Sequence, residues 1–191
     1  MKWSVLGYSK NKTYIMVMIA LIAAVYCIIS PMVIPIGPVP ISFSNLVIYL
    51  SLYLVGGRMA TISCLVYILM GLVGLPVFSG YSGGIGKLLG PTGGYIIGFL
   101  PMAMIAGMIV DRFSSPIIHF FGICSATLIV YILGTIWFCV VMDTVFVAAL
   151  GVCVFPFIPG DIVKIAIAVI IGPALKKRLK KEGLCKFSQY R

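Results

Sequence analysis

The chain has 191 residues, 62% of them hydrophobic and 9% charged, with fourteen basic residues against four acidic ones. So few charges cannot clothe a water-soluble domain of this size, and so much apolar side chain excludes a disordered chain. The net charge of +10 is no signature of nucleic-acid binding, because six of the basic residues fall between Lys176 and Lys186, just after a long apolar run.

Taken in chain order, the pattern predicts one transmembrane domain over residues 1–191. The first apolar run, Tyr14–Met32, is too long for a signal-peptide core and lacks a small-residue cleavage site, so it predicts a membrane helix over 14–32. Pro31, Pro35, Gly37, Pro38 and Pro40 then break the chain, and a second, short helix is expected over 42–55. Gly56-Gly57 turns into a third over 58–75, ending at Gly74-Leu75-Pro76. A glycine-rich segment, Ser79–Gly94, holds a single charge, Lys87. The fourth helix is expected over 92–110, stopping at Asp111-Arg112, and Pro116 opens a fifth over 116–141. A partly apolar connection from Asp143 to Pro156 leads to a sixth over 160–175.

The charges test this count. With Lys2, Lys10 and Lys12 inside, strict alternation also places Arg58, Arg112 and the basic tail inside, and leaves the outer connections with Lys87 and Asp143. That asymmetry predicts an all-α integral membrane protein of six transmembrane helices with both termini cytoplasmic.

The residues for enzymatic chemistry are missing. A nucleotide-binding loop needs glycine at Tyr81 and a hydroxyl residue at Leu88, and Gly84-Ile85-Gly86 is followed by a glycine one position too late for a dinucleotide fingerprint. One histidine, His119, and four acidic residues form no triad or carboxylate pair. The six cysteines, Cys27, Cys64, Cys124, Cys139, Cys153 and Cys185, show no CxxC, so neither a metal site nor a disulfide framework is expected, and no cofactor.

What remains is a handful of polar residues at the expected outer ends. Asp161 and Lys164, three apart at the start of the last helix, share one helix face. Charges at membrane depth are costly and line cavities, which makes the pair a candidate ligand grip. The plainer alternative is a helix start, with Asp161 as cap and Lys164 as its ion-pair partner. In the glycine-rich segment Tyr81, Lys87, Thr92 and Tyr95 alternate with glycines that let backbone approach a ligand or a neighbouring helix. Ala20 and Ala24 on the first helix are a small-residue pair fit for close helix contact.

The blocks Gly37-Pro-Val-Pro-Ile-Ser42, Gly74-Leu-Pro-Val-Phe78, Gly83-Gly84, Gly90-Pro-Thr-Gly-Gly-Tyr95 and Pro156-Phe-Ile-Pro-Gly-Asp-Ile-Val-Lys164 occur in an order that resembles the BioY family. These are the biotin-specific S components of energy-coupling-factor (ECF) transporters. The resemblance covers nearly the whole chain. It implies biotin held near the outer side by Asp161 and Lys164, with Tyr81, Gly83, Gly84, Lys87 and Tyr95 around it. It also implies apolar walls from Phe78, Ile41 or Phe155, and a lid formed by the connection between the first two helices. The family's usual glutamine is replaced by Ser44, with Asn45 next to it as a substitute. Ala20 and Ala24 then become the docking pair for an ECF transmembrane coupling subunit, which works with two ABC ATPase subunits. The resemblance places the protein in a prokaryotic plasma membrane. An ion-coupled small-molecule transporter or a non-transporting membrane scaffold stays open on the residues alone, although no internal repeat marks the former.

Overall fold

The computed structural model describes residues 12–34 and 39–181. Lys2, Lys10, Cys185, Lys186 and residues 35–38 of the connection between the first two helices lie outside the described residues. The elements are α1 (Lys12–Ile29), β1 (Val33–Ile34), β2 (Ile41–Ser42), α2 (Ser44–Val55), α3 (Gly57–Leu72), α4 (Ile85–Leu89), α5 (Gly93–Arg112), α6 (Pro116–Met142), α7 (Phe146–Cys153) and α8 (Ile158–Lys181). Four helices, α1, α5, α6 and α8, are long and apolar enough to cross a bilayer, whereas α2 and α3 are shorter apolar helices. At about 1.5 Å per residue, α2 reaches about 18 Å and α3 about 24 Å, short of a hydrocarbon core of about 30 Å.

Two short helices interrupt what the sequence presents as connections. The glycine-rich segment contains the single turn α4, and the run after Asp143 folds as the eight-residue α7. Asp143 ends α6 in the left-handed conformation. The last helix starts at Ile158 rather than at Gly160, since Pro159 stands in the first turn, where no backbone N–H is needed. It also runs past Leu175 to Lys181, because Lys and Arg are good helix formers and a helix need not stop where the lipid does. The connection after α1 is a small hairpin, β1 pairing antiparallel with β2 through Val33–Ser42 and Ile34–Ile41.

Contacts at the two ends fix the helix directions. Asn45 of α2, Thr92 and Tyr95 at the start of α5, and Asp161 near the start of α8 meet around one cavity. At the other end Tyr53 of α2, Phe113 after α5, His119 of α6 and Lys176 of α8 meet around a second. The long helices therefore alternate in direction along the chain.

In lipid, helices gain little from the hydrophobic effect against one another, so close packing and internal hydrogen bonds hold the bundle. α3 and α5 touch through backbone: a Cβ on Gly57 would sit 2.5 Å from the Cα of Gly107, so only glycine permits this approach. Buried tyrosine hydroxyls find partners, Tyr26 on Ser51, Tyr49 on Thr127 at 2.8 Å and Tyr53 on His119 at 3.2 Å. The outward surface is apolar, with Met16 and Ile28 on α1, Val140 on α6 and Ile170 on α8 all more than two-thirds exposed. Such a belt suits a lipid surround, and the protein is a membrane protein.

Candidate functional site

The cavity that Asn45, Thr92, Tyr95 and Asp161 share is built around α8. Asp161 sits inside the first turn, where its backbone N–H already bonds the Phe157 carbonyl at 2.8 Å, so its side chain is not needed as a cap. Lys164 follows one turn later and donates to Asp161 Oδ1 at 2.9 Å. Both residues are buried, at 4% and 8% exposure. A buried ion pair is costly unless further hydrogen bonds complete it, and here three do. Tyr131 Oη donates to Asp161 Oδ2 at 2.7 Å, Asn45 Nδ2 donates to the same oxygen at 3.2 Å, and Lys164 Nζ donates to the Ser42 carbonyl at 2.8 Å. The ion pair thus ties together α8, α6, the start of α2 and the β2 strand of the hairpin.

The remaining wall is mixed. Tyr95, Phe99, Val130 and Phe157 present apolar surface, and Ser44, Ser79 and Thr92 present hydroxyls. Tyr95 is held by a hydrogen bond from its hydroxyl to the Cys153 carbonyl at 3.1 Å, which locks α5 to α7. The Thr92 hydroxyl is buried on this wall and has no hydrogen-bond partner among the described residues. A buried hydroxyl without a partner leaves both a donor and an acceptor unused. Val39, at the foot of the hairpin, packs with Tyr131, Phe138, Ala149, Cys153, Val154 and Phe157 in a small cluster, so the hairpin is seated over the site.

Of the residues singled out by sequence, Asp161, Lys164, Asn45 and Tyr95 are brought to the cavity. Tyr81, Gly83, Gly84 and Lys87 are not among its lining residues. Tyr81 is 68% exposed in a tight turn, at φ 55°. Gly83 packs against backbone, since a Cβ there would meet the Leu75 carbonyl oxygen at 2.2 Å. Lys87 is half-buried in α4, where loss of water pulls its ammonium below the usual lysine range. Phe78 belongs to the core: fully buried, it stacks edge-on against Tyr67 at 5.6 Å and fills the space left by Gly71. Phe155 is exposed and Ile41 lies beside the outer cluster, so the wall is made by Phe157 instead. Ala20 and Ala24 lie on the outward face of α1 with Met16, Val17 and Ile28, while Ala23 faces the core. Tyr131 is the residue sequence reasoning missed. Nothing separates it from a packing aromatic within the apolar run of α6.

Among the described residues no three His, Cys, Asp or Glu side chains gather as for a metal ion. His119 is far from the cavity, with Nε2 on the Phe113 carbonyl at 2.8 Å and Nδ1 on the Tyr53 hydroxyl.

This geometry can be set beside known proteins. The model of the BioY family matches residues 5–181. The chain belongs to the BioY family. Among curated BioY relatives, a probable biotin transporter of Pyrococcus horikoshii is 35% identical over 159 residues, 83% of this chain and 94% of the relative. A biotin transporter of Thermotoga maritima is 33% identical over 144 residues, 75% of this chain and 85% of the relative. A crystal structure of the S component for biotin from an ECF-type ABC transporter superposes with a TM-score of 0.81 at 29% identity, covering 90% of this chain and 95% of that one. The BioY match takes in every residue lining the Asp161 cavity.

Proposed function

We propose that this chain captures biotin for uptake, as the S component of an ECF-type transporter. The observation that carries the reading is the buried Asp161–Lys164 pair on a cavity wall. The ureido ring of biotin offers two N–H donors and one carbonyl acceptor. A carboxylate accepts the former and an ammonium donates to the latter, both as charge-assisted bonds. Tyr95, Phe99 and Phe157 suit the thiophane ring and alkyl chain, and the Thr92 hydroxyl adds a polar contact without breaking a bond inside the protein. The relatives named as biotin transporters support the same ligand.

The four long apolar helices cross the membrane and the shorter α2 and α3 complete six passes, with both termini on the cytoplasmic side of the cell membrane. Support comes from the alternating helix directions and from Arg58, Arg112 and Lys176 lying at the end of the bundle away from the ion pair. The β1–β2 hairpin acts as the lid, and Tyr81, Gly83, Gly84, Lys87 and Phe78 shape the cavity only through the loop and core behind it. With no nucleotide loop in its sequence, the chain relies on a transmembrane coupling subunit and two ABC ATPase subunits, and it catalyses no reaction itself. Ala20 and Ala24, spaced one turn apart on the outward face of α1, form the surface that meets the coupling subunit.

Isothermal titration of the purified chain with biotin tests the reading. One-to-one binding that is abolished in Asp161→Ala is expected, and undiminished binding in that variant would refute the site. Biotin uptake into vesicles that contain no ATPase, driven by a proton gradient, would instead favour an ion-coupled carrier.

A further inference from the structure

At the end of the bundle opposite Asp161, a second cavity opens between α2, α5, α6 and α8. Its walls include Tyr53, Phe113, Ser114, His119, Lys176 and Lys177. Lys176 stands twelve residues beyond Lys164 on the same helix, which at about 1.5 Å per residue places it about 18 Å away. The two cavities are thus separate sites. We propose that the second holds the phosphate of an anionic phospholipid, with the acyl chains running along the apolar rim of α5 and α8.

Charge is the first reason. Lys176 and Lys177 both line the cavity, and the N-terminus of the 27-residue α6 adds the positive end of its dipole beside Pro116. Ser115, the residue that caps α6, makes no side-chain hydrogen bond to the helix amides. The neighbouring carboxylate is Asp111, which acts electrostatically on Lys176 but has its Oδ2 held by the Gly57 N–H at 2.9 Å. One carboxylate engaged elsewhere leaves the balance of the cavity positive.

Shape and preorganisation are the second. His119 is buried at 7% exposure, and both ring nitrogens are engaged, on Phe113 and Tyr53. The Phe113 carbonyl can only accept, so Nε2 carries the proton and Nδ1 accepts from Tyr53. These two bonds pin the turn between α5 and α6 and fix the floor of the cavity. The ligand contacts therefore fall to Lys176, Lys177 and the Ser114 hydroxyl.

The rim decides the ligand. Phe113 lines the cavity and is 42% exposed. On α8, Ile170, Pro173 and Lys177 repeat at helical spacing along one face, and Ile170 is 74% exposed. An inorganic phosphate has no use for such a rim, whereas a phospholipid meets the basic floor with its headgroup and the apolar rim with its chains. Basic pockets between membrane helices bind anionic headgroups in this way.

The test uses the full chain in mild detergent and native mass spectrometry. Phosphatidylglycerol and phosphatidylcholine of the same acyl length are compared, with inorganic phosphate as competitor. Retention of one phosphatidylglycerol under conditions that strip phosphatidylcholine is expected. Lys176→Gln and Lys177→Gln should each weaken that retention about fivefold, as about 1 kcal/mol per basic residue requires. Lys177 is exposed, so its variant keeps the fold, and unchanged helix content and melting temperature verify this for both. Equal retention of the two lipids, or undiminished retention in both lysine variants, would overturn the proposal. So would displacement of the lipid by equimolar phosphate, which would make the site one for free anions.

Discussion

Two connections rich in proline and glycine lie at the Asp161 end of the bundle, and they do different work. The first, between α1 and α2, is short and reaches the site: Ser42 gives its carbonyl to Lys164, and Val39 packs beside Tyr131. The second, residues 79–94, is longer and touches the cavity only at its two ends, through Ser79 and Thr92. Between those ends it folds on itself, with Phe78 and Ser82 bridged and the α4 turn leading into α5. Glycine in the second connection serves backbone against backbone, as at Gly83 on Leu75. A run of glycines beside tyrosines and a lysine looks like a ligand cradle in sequence, yet the same composition builds a tight loop that needs no ligand.

The comparison can be pressed by substitution. The largest effect is expected at Asp161. Asp161→Ala leaves the Lys164 ammonium buried with the Ser42 carbonyl as its remaining partner. Breaking a buried pair in this way costs about 3–5 kcal/mol, visible as a lower melting temperature in detergent together with lost biotin binding. Lys164→Met keeps the volume but frees the hairpin and removes the donor proposed for the ureido carbonyl. Loss of a hydrogen bond to a charged group, about 1.5–3 kcal/mol, predicts biotin affinity weaker by about tenfold to a hundredfold in titration calorimetry. Thr92→Val should have a smaller effect, about fivefold in affinity at unchanged stability, since the hydroxyl has no partner among the described residues to lose. Smallest of all are Lys87→Gln and Tyr81→Ala, for which biotin affinity within about twofold of the parent is expected, as for surface groups away from a site. A tenfold loss in either would return the middle of the glycine-rich loop to the ligand and collapse the contrast between the two connections.

The sequence is legible where physics leaves few options. Apolar runs punctuated by Pro, Gly and charge locate the starts of the long helices to within two residues, although the last helix runs six residues past its expected end. A charged pair at spacing three can only share a face. It is less legible where the deciding contact is long-range. Tyr131 is one of ten tyrosines, and only the packing of α6 on α8 turns its hydroxyl towards Asp161. Phe78 sits in a block that resembles the family's site, but the space opposite Gly71 draws it into the core. The helix α7 was hidden because eight apolar residues are too few for a span and read as a connection. Its role, receiving the Tyr95 hydroxyl at Cys153, depends on a neighbour 58 positions away in the chain.

The bond from Lys164 to a backbone carbonyl has a kinetic consequence. A main-chain oxygen is present whatever residue occupies position 42, so the fastening of the hairpin survives sequence drift there. With the hairpin as the proposed lid, each departure would break that charge-assisted bond, about 1.5–3 kcal/mol, and opening would slow by about tenfold to a hundredfold. Tight retention of a scarce vitamin would then be written mainly in its residence time, with the rate of capture set by how often the hairpin lets go of the lysine.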